Sequence, residues 1–260
     1  MAYKDEFLSV AGCKVHVMRG GAGGPLLYLH GASGAPVWQP FMEKLAETHE
    51  VIVVEHPGFG QSEHPAWLDS MSDLAYFYLD LIDQLGLRNI DLLGGSIGGW
   101  LALEIAIRDS SKLRSIGLIA PAGIHVKGLR KADIFMWSPQ ETARNLFHDQ
   151  SYAEAILAAP STPESLLTML QNRLTTAKLA WQPRLHNPDL PKWLHRIKVP
   201  TLIVWGDEDK IIPPAYGPHF SQLIPGARLE TIPAVGHLPQ TEKPEEFVGI
   251  YNRFIEEIAR

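Results

Sequence analysis

The sequence has a single cysteine, Cys13, among its 260 residues. One thiol cannot form an intramolecular disulfide, and it cannot build a cysteine-rich zinc cage. The 11 histidines do not compensate, because none occurs in an H-E-x-x-H motif or a comparable ligand spacing. We therefore expect a fold that is stabilised by its hydrophobic core, and we expect no metal site.

Positive charge and long apolar stretches are also scarce. There are 23 Lys and Arg residues against 29 Asp and Glu residues, which gives a formal net charge of −6 with no extended basic run. Nucleic acid is therefore not an expected partner. No segment reaches the roughly 20 apolar residues of a membrane helix, and Asp5 and Glu6 make the N-terminus acidic where a secretory signal is basic. We expect a cytoplasmic protein that does not associate with membranes.

Nucleotide-binding loops are a further absence. Two glycine clusters, Gly20–Gly24 and Gly58–Gly60, invite comparison with loops that bind phosphate. The first cluster leads into a strand-like run rather than a helix, and neither cluster fits G-x-G-x-x-G or G-x-x-x-x-G-K. The sequence therefore predicts no dinucleotide or nucleoside triphosphate, and we expect no cofactor.

What is present is an alternation of short apolar runs with segments of helical periodicity. Continuous apolar runs are typical of strands buried on both faces of a parallel sheet, and the helical segments between them predict helices that cover the sheet. Two N-terminal runs, Phe7–Val10 and Lys14–Arg19, precede this pattern, and the second alternates like a half-exposed strand. The α/β class is therefore predicted, with buried strands at Leu26–Leu29, Val51–Val54, Ile90–Leu93, Ile116–Ile119, Thr201–Trp205 and Arg228–Ile232.

One long segment, residues 121–198, interrupts the alternation, since it contains helix signals but no convincing strand. Ser138-Pro139 and Thr162-Pro163 each resemble an N-cap followed by proline at the first helical position. We predict a helical cap at 121–198 inserted into a core formed by residues 1–120 and 199–260. Its large apolar residues are expected to form mostly the cap's own core, with some of them facing a pocket.

The pentapeptide Gly94-Gly95-Ser96-Ile97-Gly98 follows a predicted strand and opens an apolar helix. Flanking glycines permit the tight strand-to-helix turn that exposes a nucleophilic serine at a helix N-terminus. A serine hydroxyl needs a histidine base, and the base needs a carboxylate partner. His237 lies in a loop after one later predicted strand, and Asp207, Glu208 and Asp209 lie in a loop after another. The spacing alone leaves the choice among the three carboxylates open.

Five ordered stretches resemble the α/β-hydrolase superfamily, in its cap-bearing group of esterases, lactonases and C–C hydrolases. The resemblance covers nearly the whole chain, and it implies a mostly parallel eight-stranded sheet flanked by helices, with a helical cap. The matching stretches are Leu29–Gly34, His56–Ser62, Gly94–Gly99, Trp205–Pro213 and Gly236–Glu245.

The resemblance also implies a role for individual residues. Asp209 matches the acid of a W-G-x-x-D-x-x-x-P pattern and would complete a catalytic triad with Ser96 and His237. An oxyanion hole needs two N–H donors. One is expected from Ile97, directly after the nucleophile, and the resemblance assigns the other to Ala32. The next residue, Ser33, is the alternative donor. His30 would hold this loop in place. The residues expected to contact substrate are Ser33, Trp100, Trp137, Phe147 and Leu238.

We therefore expect a carboxylesterase-like serine hydrolase that forms an acyl-enzyme on a small or oligomeric ester substrate, acting as a monomer or homodimer. A C–C hydrolase or lactonase of the same fold is the first alternative. C–C hydrolases often carry an aromatic residue where Leu238 stands and a methionine where Ile97 stands. Arg184 could bind a substrate carboxylate, although a surface ion pair is the simpler expectation. A hydrolase-fold ligand-binding protein with little turnover is the remaining alternative.

Overall fold

The computed structural model describes residues 3–259. The strands are β1 (Lys4–Val10), β2 (Cys13–Gly20), β3 (Gly24–Leu29), β4 (His49–Val54), β5 (Ile90–Gly95), β6 (Leu113–Ile119), β7 (Thr201–Gly206) and β8 (Arg228–Ile232). The helices are α1 (Pro40–Leu45), α2 (Met71–Gln84), α3 (Ile97–Arg108), α4 (Pro139–Leu146), α5 (Gln150–Ala158), α6 (Pro163–Ala180), α7 (Leu190–Trp193), α8 (Tyr216–Leu223), α9 (Pro239–Glu242) and α10 (Pro244–Ile258), and a 3-10 turn spans Leu194–Arg196.

The eight strands form one sheet in the order β1-β2-β4-β3-β5-β6-β7-β8. β1 pairs with β2 and β2 with β4 in antiparallel fashion, and all the other pairs are parallel. The α/β class predicted from the sequence pattern and the mostly parallel eight-stranded sheet implied by the resemblance are both confirmed. In such a sheet the loops that follow β3, β5, β7 and β8 meet at one edge, which is where a ligand site is expected.

Each inner strand contributes side chains to two hydrophobic clusters, one on each face of the sheet. Along β3, Leu27 and Leu29 belong to the cluster that includes α2 and α3, while Leu26 and Tyr28 belong to the cluster that includes α1 and α10. This alternation follows from the two-residue repeat of a strand. One expectation was wrong: β8 is an edge strand, and only Ile232 of its residues is buried.

Two helices of the cap segment, residues 121–198, begin where the sequence predicts them. Ser138 and Thr162 both accept a hydrogen bond from the N3 backbone N–H, and each is followed by proline at the first position. These caps satisfy N–H groups that a helix leaves unpaired at its start. Near the other end of the predicted cap, Leu190, Leu194 and Ile197 are packed into the main hydrophobic core.

A membrane-crossing helix would have to be both long and strongly apolar. None of the helices formed by residues 3–259 meets both conditions.

Candidate active site

Ser96 occupies the turn between β5 and α3 with φ 54° and ψ −115°, a strained conformation for a residue with a Cβ atom. Glycines on either side make this turn possible. A Cβ atom on Gly94 would lie 2.3 Å from the Gly98 carbonyl oxygen, and one on Gly98 would lie 2.1 Å from the Leu29 carbonyl oxygen. The turn therefore requires glycine at both positions, and it holds the serine at the N-terminus of α3.

His237 lies in the loop between β8 and α9, and it is 3% exposed. Its Nε2 lies 2.9 Å from Ser96 Oγ, and its Nδ1 lies 2.7 Å from Asp209 Oδ2. An ionised carboxylate only accepts hydrogen bonds, so Nδ1 donates to Asp209. In the neutral ring this leaves the Nε2 lone pair facing the serine hydroxyl, which is the arrangement of a general base and its nucleophile.

The structure distinguishes the three carboxylates of the loop after β7. Asp207 and Glu208 are exposed, whereas Asp209 is buried and contacts His237. Of the three candidates, Asp209 is the one that the fold brings to the imidazole.

Asp209 is held by several donors at once. Its Oδ1 accepts hydrogen bonds from the backbone N–H groups of Ile211 and Ile212 at 2.8 and 3.0 Å, and its Oδ2 accepts one from Trp205 Nε1 at 3.0 Å. Three donors from fixed positions hold the carboxylate in one orientation. The plane of the carboxylate, and with it the direction of the bond to the histidine, is therefore set by β7 and the loop that follows.

Two backbone N–H groups are the predicted oxyanion donors. Ile97 is the first residue of α3, so its N–H has no partner within the helix. Gly31 lies against the serine, since an added Cβ atom there would be 3.4 Å from Ser96 Cβ, and Ala32 follows it. Within residues 3–259 the Ala32 N–H makes no hydrogen bond to protein. Both predicted oxyanion donors are therefore free, and the N-terminus of α3 adds a partial positive charge.

A buried pair of imidazoles lies behind the loop that contains Gly31. The rings of His30 and His56 stack with centroids 3.6 Å apart. The backbone N–H of His56 donates to His30 Nε2 at 2.9 Å. His30 therefore carries its ring proton on Nδ1, and it donates this proton to the Gly31 carbonyl at 2.7 Å. Burial lowers the pKa of His30 to about 4 and that of His56 well below 6.5. Both rings are neutral scaffolding groups, and His30 has the loop-holding role that the resemblance implied.

Helix α6 of the cap is attached to two of the loops at this edge. Asn172 donates from Nδ2 to the Ser33 carbonyl at 2.9 Å, and its Oδ1 accepts from the Gly60 N–H at 2.9 Å. Thr175 donates from Oγ1 to the Gly58 carbonyl at 2.6 Å. Asn172 and Thr175 are both buried. The cap therefore supports the loop that carries Ala32.

Two of the predicted substrate-contacting residues lie inside the protein. Trp100 is 3% exposed, its Nε1 donates to Glu104 at 2.9 Å, and its ring packs against Gly123. Phe147 is also 3% exposed and stacks on Tyr152 within the cap's own small cluster. Neighbouring segments cover both rings in this structure, and the contact of either ring with substrate stays a prediction.

The other predicted contact residues remain accessible. Ser33 is exposed, and Trp137 and Leu238 are half-buried. Leu238 directly follows the histidine and packs against the cap cluster that contains Phe147. Arg184 forms an ion pair with Asp133 and stacks on Trp181 at 4.2 Å, so the surface ion pair expected for it is confirmed.

Several residues of the site carry no local sequence signal. The roles of Asn172 and Thr175 were missed because their partners lie more than 100 residues away along the chain. Trp205 stands in one of the matching stretches, four residues before Asp209, and this spacing was a signal that could have identified its indole as a donor.

Metal-binding clusters were sought among the His, Cys, Asp and Glu side chains. In the described part of the chain, no group of three or more of them could hold a metal ion.

Comparison with known proteins agrees with this fold. The profile of the alpha/beta hydrolase fold family matches residues 24–244. The chain is 28% identical to Lipase 1 of Psychrobacter immobilis, over 90% of this chain and 77% of that protein. It is 29% identical to a 2-hydroxymuconate semialdehyde hydrolase of Pseudomonas sp. strain CF600, over 95% and 92% of the two chains.

A solved structure shares the fold. It is the 2-hydroxy-6-oxo-6-phenylhexa-2,4-dienoate hydrolase from Rhodococcus sp. strain RHA1, which superposes with a TM-score of 0.80 at 19% identity and covers 98% of this chain and 99% of its own.

Proposed function

The chain belongs to the alpha/beta hydrolase family, and we propose that it is a serine hydrolase that cleaves carboxylic esters through Ser96, His237 and Asp209. The observation that supports this most strongly is the unbroken line of hydrogen bonds from Ser96 Oγ through the imidazole to the carboxylate. A serine on a strained turn, a base within hydrogen-bonding distance and an oriented acid are the three requirements of this chemistry.

The proposed reaction has two half-reactions. Ser96 Oγ attacks the ester carbonyl carbon while His237 Nε2 takes its proton, and the N–H groups of Ile97 and Ala32 stabilise the oxyanion. The protonated imidazole then gives its proton to the departing alcohol, which leaves an acyl group on the serine. Water repeats the sequence and releases the acid. Asp209 stabilises the imidazolium in both halves.

A C–C bond hydrolase is the second candidate. The relative from Pseudomonas sp. strain CF600 is named for such an activity and aligns over nearly the full length of both chains. Esters remain the first choice, because Arg184, the cap residue considered for a substrate carboxylate, is engaged by Asp133. Incubation with a 2-hydroxymuconate semialdehyde, followed by the loss of its visible absorbance, tests the alternative.

The main test is hydrolysis of p-nitrophenyl esters from acetate to a long-chain acyl group. We expect Ser96→Ala to lose on the order of 10⁶-fold in kcat, since removal of a triad nucleophile has effects of this size. Ser161→Ala, at an exposed cap position, is the matched control and should retain wild-type rates. A folded wild type that hydrolyses no ester in the series, or a Ser96→Ala variant that keeps its activity, would contradict the proposal.

A further inference from the structure

The loop that carries His237 is attached to the cap as well as to the core. The His237 backbone N–H donates to the carbonyl of Leu146, the last residue of α4, at 2.8 Å. The preceding Gly236 packs so closely that an added Cβ atom would lie 2.5 Å from the same carbonyl oxygen and 2.9 Å from the His148 nitrogen. The histidine therefore takes part of its position from a segment that is more than 80 residues away along the chain.

A single carboxylate completes this attachment. Glu242 Oε1 accepts a hydrogen bond from the Gly236 N–H at 2.7 Å. Its other oxygen, Oε2, accepts from the N–H groups of His148 and Asp149 at 2.9 and 2.8 Å. Charge-assisted hydrogen bonds of this kind are among the stronger ones in proteins. One oxygen thus binds the histidine loop and the other binds the cap, in the bend between α4 and α5.

On the basis of the proposed function, we propose that Glu242 is a positioning residue that connects the His237 loop to the cap. The imidazole is then aligned with Ser96 only while residues 146–149 are docked against this loop. Glu242 acts through the loop, because its carboxylate contacts backbone groups and not the reacting atoms. The cap then helps to position the histidine base, in addition to covering the site.

The bridge depends on a carboxylate. All three of its partners are N–H donors, and only a carboxylate offers acceptor oxygens on both sides. In Glu242→Gln the shape is retained, but one side of the amide becomes an NH₂ donor that faces another donor. The glutamine can therefore satisfy the loop or the cap but not both. This makes Glu242→Gln a specific test of the connection.

The experiment measures labelling of Ser96 by a fluorophosphonate, together with kcat and KM for a p-nitrophenyl ester. For Glu242→Gln we expect labelling and kcat to slow by about 10- to 100-fold, as misplacement by about 1 Å can cause. The final extent of labelling should equal that of wild type, and KM should change by less than about threefold. Glu256→Gln removes the same charge at an exposed site on α10 and should behave as wild type. A purely structural role would instead lower the extent of labelling at an unchanged rate per site.

Two further measurements show whether Glu242 acts through the histidine. In a His237→Ala background, Glu242→Gln should cause no further loss of the residual labelling rate. Hydrogen–deuterium exchange should become faster in both connected segments, residues 146–149 and 235–238. The inference is overturned if labelling proceeds at the Glu256→Gln rate, if the two substitutions multiply, or if exchange rises in the cap segment alone. A wild type that is labelled at Ser96 but hydrolyses no ester contradicts the proposed function, while the labelling rates still decide the role of Glu242.

Discussion

The core and the cap place their large apolar side chains differently. Every residue of β5 and β7 is buried, and so are the first ten residues of α3. In the cap, residues 154–167 are all exposed. Of the 15 exposed large apolar side chains among residues 3–259, nine lie between residues 136 and 181: Met136, Ile156, Leu157, Leu166, Leu167, Met169, Leu170, Leu174 and Trp181.

This contrast separates two tasks. The core supplies the rigid positions of the serine and the acid, because buried side chains are fixed by close packing. The cap is joined to the core by buried apolar side chains, such as Leu190 and Leu194, and by polar contacts. Asn172 and Thr175 make such polar contacts on one side, and Glu242 makes them on the other. Substitutions in the core are therefore expected to affect chemistry and stability, whereas those on the outer cap should affect neither strongly.

Apart from Ser96, the largest effect on activity is expected in the core at Asp209, the acid of the proposed triad, which has a second aspartate, Asp207, nearby. Asp209→Asn keeps the shape but favours the wrong imidazole tautomer, so kcat should fall by about 10³- to 10⁴-fold. Asp207→Asn, two residues away and exposed, is the matched control and should keep kcat within about twofold. Ester hydrolysis rates measure both, and equal losses in the two variants would remove the distinction between the carboxylates.

The next largest effect is a loss of folding stability at low pH, caused by the two buried histidines of the core. Because the folded-state pKa of His30 is about 4 and its ordinary value is 6.5, the unfolded chain binds this proton more readily. Stability is therefore full above about pH 6.5 and is lost as the pH falls towards 4, by about 3 kcal/mol for His30. His56 adds to the same trend. Urea unfolding at several pH values measures the slope.

Two variants isolate the contribution of the buried pair. His30→Gln should flatten the dependence of the unfolding free energy on pH, whatever its effect on absolute stability. His64→Gln, at an exposed position, should leave the slope unchanged. A wild type that is equally stable at pH 7.5 and pH 4.5 would show that the pair does not titrate as described.

A smaller loss is expected at the strand-to-helix turn. An alanine at Gly98 would place its Cβ atom against the backbone of Leu29, and overpacking of this kind typically costs about 1–3 kcal/mol. Gly24→Ala meets no atom within 4 Å and should change the unfolding free energy by less than about 0.5 kcal/mol. Chemical denaturation provides the values, and a neutral Gly98→Ala would mean that the turn tolerates a side chain.

The smallest effect should lie on the outer face of α6. Leu174 is 71% exposed, so Leu174→Ala is expected to alter the unfolding free energy by less than about 0.5 kcal/mol. Leu179 on the same helix is buried, and its replacement by alanine should cost about 2 kcal/mol or more. A large loss at Leu174 would indicate that the cap's outer face is covered in solution.

Local patterns predicted the parts of the fold that have local causes. The strands follow from runs of apolar residues, and Ser96 follows from glycines that a tight turn requires. Helix starts at Ser138 and Thr162 follow from their capping side chains. The choice of Asp209 came from the resemblance, because three adjacent carboxylates differ only in which of them the loop buries.

Contacts between distant segments could not be predicted where no motif marks the residues. Trp100 packs against Gly123, which lies in a separate segment, and no local pattern in the sequence indicates this contact. The bridges made by Asn172 and Glu242 join residues that are about 90 to 140 positions apart. Such contacts are set by how the cap folds back over the sheet, and no periodicity in the sequence reports it.

The central claim is that Ser96 carries the acyl group during turnover. Rapid acid quenching of the protein during hydrolysis of a p-nitrophenyl ester, followed by mass spectrometry of its peptides, tests this claim directly. We expect the added mass of the acyl group on the peptide that contains Ser96, and no adduct on any peptide of the Ser96→Ala variant. Turnover without a covalent adduct, or an adduct on another residue, would contradict it.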